Sequence, residues 1–222
     1  MKFSELSDAA KAAALEYREQ GLCEWWGCTI DSFTTLCKCF GFDVDYKSVY
    51  LRGFSSQGDG ASFLGTWDID DAMDCVEQVK GYAPQDETLQ ELAKYMQHEC
   101  TLAFGVSEML TNGFGLRIGI GGSARHNYVH EQTMQISRAC GEVLDFDGHI
   151  WDDLKEPEVI DICARLDESV LDIAKSLARW LYKALEEEWQ YLCSEESLTE
   201  EAEANGWDFD EAGSIIFDKE HV

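Results

Sequence analysis

Basic residues and proline are the scarce materials of this chain. Only 17 Lys+Arg stand against 44 Asp+Glu in 222 residues, a formal net charge of −27. A surface so poor in cations is repelled by nucleic-acid backbones and by anionic lipid, which excludes direct binding of either through it. With 2 prolines in the whole chain, long linkers are not expected. No apolar run approaches the roughly 18 residues of a membrane span, and Met1–Asp8 lacks the apolar core of a signal peptide. The expectation is a soluble protein of the cytoplasm, in the host cell cytosol. Also missing are a phosphate-binding loop with its lysine and any complete catalytic motif.

What is present is a core. Hydrophobic residues make up 45% and aromatics 12% of the chain, so the acidity does not signal disorder, which requires low hydrophobicity as well. The 9 cysteines are odd in number and scattered, which points to free thiols in a reducing compartment rather than a disulfide framework. A small domain is comfortable with a net charge of about 2–8, and more than that opposes compaction. The excess asks for a basic partner.

Residues 4–20 read as a helix capped by Ser4 or Ser7. Trp26, Ile30, Phe33, Cys37 and Phe40 then form a helical stripe that stops at Gly41. A strand over 49–54, a turn over 55–61 and a return strand over 62–67 form one hairpin. A short helix over 70–82 is expected next. Asp86 starts a longer one with Leu89, Leu92, Met96, Cys100 and Ala103 inward. A second hairpin should lie between Phe114 and Ser137, turning at Gly121–Ser123 and returning over 128–136. From Pro157 the pattern is helical to about Cys193, with a break placed near Leu166–Asp167. A short acidic helix over 198–204 and a hairpin over 207–217 close the chain. The fold class is α+β: two or three antiparallel hairpins packed with five or six helices, including a long C-terminal helix. The chain reads as a single α+β domain over 1–222, with an acidic helical and hairpin subregion from about 184.

Charge is unevenly placed. Residues 184–222 hold thirteen acids against Lys219, whereas 114–140 holds Arg117, Arg125, Arg138, His126 and His130 with Glu131 as its acid. Packing of the basic hairpin on the acidic helices would also account for this.

Four clusters invite chemistry. In the loop Ser55, Ser56, Gln57, Gly58, Asp59 and Gly60, the glycines suit a hairpin turn, and the same residues could hold a polar ligand on exposed amides. Asp145–Asp153 has the outline of a calcium loop, but its glycine falls at the fourth position rather than the sixth. Cys23, Cys28, Cys37 and Cys39 have zinc-like density but poor tetrahedral geometry on one helix, and buried cysteine commonly acts as a small hydrophobe. His126, Tyr128 and His130 fall on one face of the expected return strand, where a histidine could activate a cysteine. None of the four names a complete site, so no metal, no cofactor and no catalytic residue is assigned. Most tryptophans fall on helical stripes. Trp25 lies off its stripe and is read as an exposed interface anchor.

The run Val49–Phe63, with Gly53-Phe54-Ser55-Ser56-Gln57-Gly58-Asp59-Gly60-Ala61 at its centre, resembles a family found in phage and prophage genomes. Its members carry a similar aromatic-x-Gly-Phe-x-Ser-Gln-Gly-Asp-Gly-Ala-x-Phe motif and are often labelled antitoxins of toxin–antitoxin stability systems. Glu24-Trp25-Trp26, Tyr82–Glu87, Tyr128–Glu131 and Leu177–Tyr182 extend the likeness over most of the chain. Leu51-Arg52 stands where the family has Phe-Ser, and Cys37 and Cys39 are extra. The resemblance implies a mobile-element origin and carries no catalytic residues with it.

Together these readings give an expectation: a non-catalytic, phage-type inhibitor that occupies the basic site of a nucleic-acid-handling host protein. Such a partner would be a defence factor such as a CRISPR or restriction component, or a toxin. Helical carboxylates spaced along a 1.5 Å rise approach the charge density of duplex DNA, about one per 1.7 Å. The expected contacts are Glu186, Glu187, Glu188, Glu195, Glu196, Glu200, Glu201 and Trp25. The alternatives are a small-molecule or metal-dependent enzyme using the Gln57–Gly60 loop with His126 and His130, and a structural or assembly protein.

Overall fold

The computed structural model describes residues 1–111, 117–121, 129–137 and 157–216. Ser7 ends the entry segment and begins α1 (Asp8–Gly21), its hydroxyl accepting from the Ala10 amide at 3.3 Å. Capping of this kind satisfies one of the amides a helix start leaves orphaned. Then α2 (Gly27–Cys39) carries the expected stripe, with Ile30, Phe33 and Cys37 buried. The chain turns at Gly41, whose φ is +80°.

The first hairpin departs from expectation at its return strand. β2 (Val49–Arg52) pairs with β3 (Gly60–Phe63), from Val49 opposite Phe63 to Arg52 opposite Gly60. The residues after Leu64 form a separate strand, β4 (Gly65–Asp68), which joins a four-stranded antiparallel sheet in the order β1 (Phe42–Asp43), β4, β5 (Arg117–Gly121), β6 (Gln135–Ser137). The Leu64 amide donates to the Ser48 carbonyl at 2.8 Å, so the hairpin closes there and the chain passes to the other sheet. The second hairpin is also re-registered. Gly121 faces Gln135 and Gly119 faces Ser137, which places the return strand at 135–137 rather than 128–136. His130 is therefore off the strand: it caps a single 3-10 turn, Glu131–Thr133, accepting the Gln132 amide on Nδ1 at 3.1 Å.

Helices fill the rest. The expected 70–82 helix is two, α3 (Ile69–Ala72) and α4 (Cys75–Tyr82). Asp86 caps α5 (Glu87–Thr111) through the Leu89 amide, and Leu89, Met96, Cys100 and Ala103 are buried as their spacing requires. α6 (Pro157–Leu192) is one unbroken helix of 36 residues with no break at Leu166–Asp167. Leu166 is buried on the same stripe as Val170, Ala174, Leu177, Leu181 and Leu185, so the apolar face runs on through the position where a break was expected. α7 (Glu195–Asn205) starts three residues earlier than its apolar pattern suggests, because Ser194 caps it. β7 (Asp208–Phe209) and β8 (Ile215–Ile216) form the last hairpin. The α+β class holds, with every strand pair among the described residues antiparallel.

The chain packs as two compact units: Met1–Cys28 with Lys183–Val222, and Thr29–Tyr182. In the first, Met1 meets the β7–β8 hairpin. The terminal amine donates to the Phe209 carbonyl at 3.0 Å and the Phe209 amide returns to the Met1 carbonyl at 2.8 Å. Phe3, Leu6, Ala10, Ala14, Leu198, Ala202 and Phe209 make its core. α7 and the β7–β8 hairpin are thus folded against the N-terminal segment. In the second unit Phe33, Phe42 and Phe63 stack edge to face, and the buried Trp67 indole donates to the Phe40 carbonyl at 3.0 Å. Its α5 and α6 are joined by polar contacts: Arg165 to Glu99 at 2.6 Å and Tyr95 to Ser169 at 2.8 Å.

Candidate functional site

The glycine loop of the second unit is closed on itself. Asp59 has a side chain 6% exposed, and its Oδ2 accepts from the Ser55 and Ser56 amides at 2.8 and 2.6 Å. Its Oδ1 lies 3.8 Å from Arg52 Nε. The carboxylate that could have met a ligand therefore holds the turn together. Gly53 sits at φ +41°, where a Cβ would come 2.7 Å from Asp59 Oδ2. Gly60 lies so close to the Val129 carbonyl that a Cβ would approach it to 2.6 Å. Gly53 thus has a conformational reason to be there and Gly60 a packing one. Ser55, Ser56 and Gln57 are exposed, and Gly58 is half-buried.

His130 stands at the head of a turn rather than on the return strand. Its Nδ1 is engaged by the Gln132 amide and lies 2.9 Å from Glu131. His126, Tyr128, Arg125 and Arg138 lie outside the described residues, as does the Asp145–Asp153 run. Among the described residues no group of three or more His, Cys, Asp or Glu side chains is placed to hold a metal ion. Cys23, Cys28, Cys37, Cys39, Cys75, Cys100 and Cys193 are free thiols. Burial pushes the Cys37 thiol up, with the charge of Cys39 adding to it.

The acidic candidates fall in the first unit and divide into two sets. Three are already used by the chain. Glu195 meets Lys11 at 3.3 Å, Glu201 meets Arg18 at 2.9 Å, and Glu200 accepts the Tyr191 hydroxyl at 2.7 Å. That last bond, before a smaller contribution from burial, raises the Tyr191 phenol above its ordinary range. Glu186 and Glu188 are half-buried on α6. Glu187 and Glu196 remain exposed, with Lys183 3.6 Å from Glu187. Trp25 corrects its expectation: it is half-buried, its ring 5.2 Å from Trp189 and 5.8 Å from Trp26. It is an aromatic packing residue rather than an open anchor, because the Trp25–Trp26 segment folds back onto α6.

Two concavities escaped the sequence reading. One, in the second unit, is a polar groove of about 520 Å³ lined by Asp43, Asp68, Asp70, Asp71 and Asp74, with Lys38 at its side. The density of aspartate over 68–74 was its visible signal. The other, in the first unit, is an apolar cleft of about 220 Å³ between α1, α7 and the β7–β8 hairpin. Tyr17, Leu22, Trp207 and Ile215 line it, and the Arg18–Glu201 pair stands at its polar side. No local motif marks this cleft, since its walls come from opposite ends of the chain.

A family model described as a domain of unknown function, DUF8835, matches residues 25–195. The chain belongs to this family. The DUF8835 match takes in the whole second unit, the glycine loop included. It leaves outside α1, the β7–β8 hairpin and all of α7 after Glu195, and with them the walls of the apolar cleft. No curated protein and no solved structure matches the chain.

Proposed function

We propose that this protein is a non-catalytic binder, of phage or prophage type, that occupies the basic site of a nucleic-acid-handling host protein through its acidic first unit. One observation carries the reading. α7 bears Glu195, Glu196, Glu200, Glu201 and Glu203 and no base in eleven residues, on a chain whose net charge is −27. A field of that sign steers a basic partner to it quickly and in a salt-dependent way. The internal pairs to Lys11 and Arg18 turn the choice of contacts toward Glu187, Glu196 and Glu203, which are exposed, Glu187 with Lys183 one turn away on its own helix. A restriction or CRISPR component, or a toxin, has the required basic groove.

The test is capture of bacterial proteins on the tagged chain at low and high salt, beside a variant with Glu187→Lys, Glu196→Lys and Glu203→Lys. The expected result is one dominant basic nucleic-acid-binding protein, released at high salt and lost from the variant. Capture that the reversals leave unchanged would overturn the reading.

A further inference from the structure

The apolar cleft of the first unit supplies what a purely electrostatic surface lacks, a place for a partner to be held. Tyr17 is 67% exposed, and Leu22, Trp207 and Ile215 are half-buried around the same concavity. Apolar side chains gathered in a cleft and left open to water mark an interaction site more strongly than the same residues scattered singly. The volume, about 220 Å³, is below the roughly 300–1,000 Å³ of small-molecule sites and suits a protein side chain or two.

Charge decides what kind of side chain comes with its neighbours. Among the described residues, the cation lining the cleft is Arg18, whose side chain is 12% exposed and whose Nη2 donates to Glu201 at 2.9 Å and Ser197 at 3.1 Å. Its Nε and Nη1 are buried away from water, and Glu201 balances its charge. Glu201 is 43% exposed, Glu16 and Glu19 flank Tyr17 and Arg18 on α1, and α7 adds four more glutamates without a base. The cleft is thus an apolar floor in a negative frame.

We propose that this cleft anchors the interface by taking one apolar side chain of a partner segment whose neighbouring residues are lysine or arginine. This rests on the acidic-binder reading and deepens it. Interfaces commonly concentrate their energy in one such buried anchor surrounded by polar rim contacts. Here the rim supplies attraction and rate, and the floor supplies residence. Burial of one leucine side chain tightens a complex roughly 10- to 100-fold.

The test uses the full chain and two fluorescein-labelled pentapeptides at low salt, read by anisotropy. One has leucine flanked on each side by two lysines, and its twin has serine in the centre. The leucine peptide is expected to bind about tenfold tighter. Tyr17→Ala, at an exposed position that leaves folding intact, is expected to erase most of that difference and to leave the serine peptide unchanged. Equal binding of both peptides overturns the cleft while the acidic-surface reading stands. Failure of both peptides to bind overturns both. Self-association that rises with concentration and excludes the leucine peptide would assign the cleft to a second copy and overturn the proposal.

Discussion

Asp59 Oδ2 accepts the backbone amides of Ser55 and Ser56 at 2.8 and 2.6 Å, and the same carboxylate is all but hidden from water. Short polar side chains that bond backbone amides nearby give a loop an internal scaffold. Asp59→Ala leaves two amides to find water at a crowded turn and is expected to cost about 1–3 kcal/mol. Asp59→Asn keeps an acceptor and should cost less. Urea denaturation of the three proteins orders them, and an alanine variant as stable as the parent would refute the scaffold.

Glu99 joins α5 to α6 in the second unit through Arg165, with His98 3.2 Å away on the same carboxyl oxygen. Burial pushes the Glu99 carboxyl up, but the bonds from Arg165 and then His98 outweigh it and hold the group below its ordinary value of 4.5. A carboxyl that titrates lower folded than unfolded adds stability above its unfolded pKa and loses it as pH falls through the folded one. Thermal melts of the parent and Glu99→Gln should therefore differ at pH 7 and converge as the pH falls below about 4. A gap of constant size across that window would remove the ion pair from the account. Arg165→Ala should lower Tm at pH 7, because it leaves a buried carboxylate without its main partner.

The helices were legible in the sequence wherever a stripe decided them. Ile30, Phe33 and Cys37 or Val170, Ala174 and Leu177 repeat at helical spacing, and burial follows. The strands were harder, since Phe63 and Trp67 are both buried yet serve different sheets. Only long-range pairing, Trp67 with Phe42 and Ile118, separates β4 from β3. Local pattern likewise offers no view of His130 as a turn cap. The acidity of α7 is plain in the sequence. That Lys11 and Arg18 neutralise Glu195 and Glu201 is not, because these partners lie more than 180 positions apart.

The thiols should divide by burial. Cys23 and Cys28 are exposed, whereas Cys37, Cys75 and Cys100 have no exposed surface. Burial pushes Cys75 up to about 11, and burial with the charges of Cys75 and Glu99 pushes Cys100 up to about 12. The reactive species is the thiolate, so both factors protect these three. Iodoacetamide at pH 8, followed by peptide-resolved mass spectrometry, should label Cys23 and Cys28 at once and the buried three only after urea. Early labelling of Cys100 would contradict its packing.

Self-repulsion gives the same surface a measurable cost. Like charges crowded on a folded chain oppose compaction, and salt screens them over a Debye length of about 8 Å at physiological strength. Raising sodium chloride from about 10 to 150 mM should therefore raise Tm. Two reversals separate repulsion from pairing. Glu196 is exposed among the other α7 glutamates, and Glu196→Lys should raise Tm at low salt, with the gain fading as salt is added. Glu201 stands 2.9 Å from Arg18, whose side chain is 12% exposed, so Glu201→Lys sets cation against cation and should lower Tm. Both substitutions change the net charge by the same amount. If both shift Tm in the same direction, overall charge governs stability and the Arg18–Glu201 pair contributes nothing measurable.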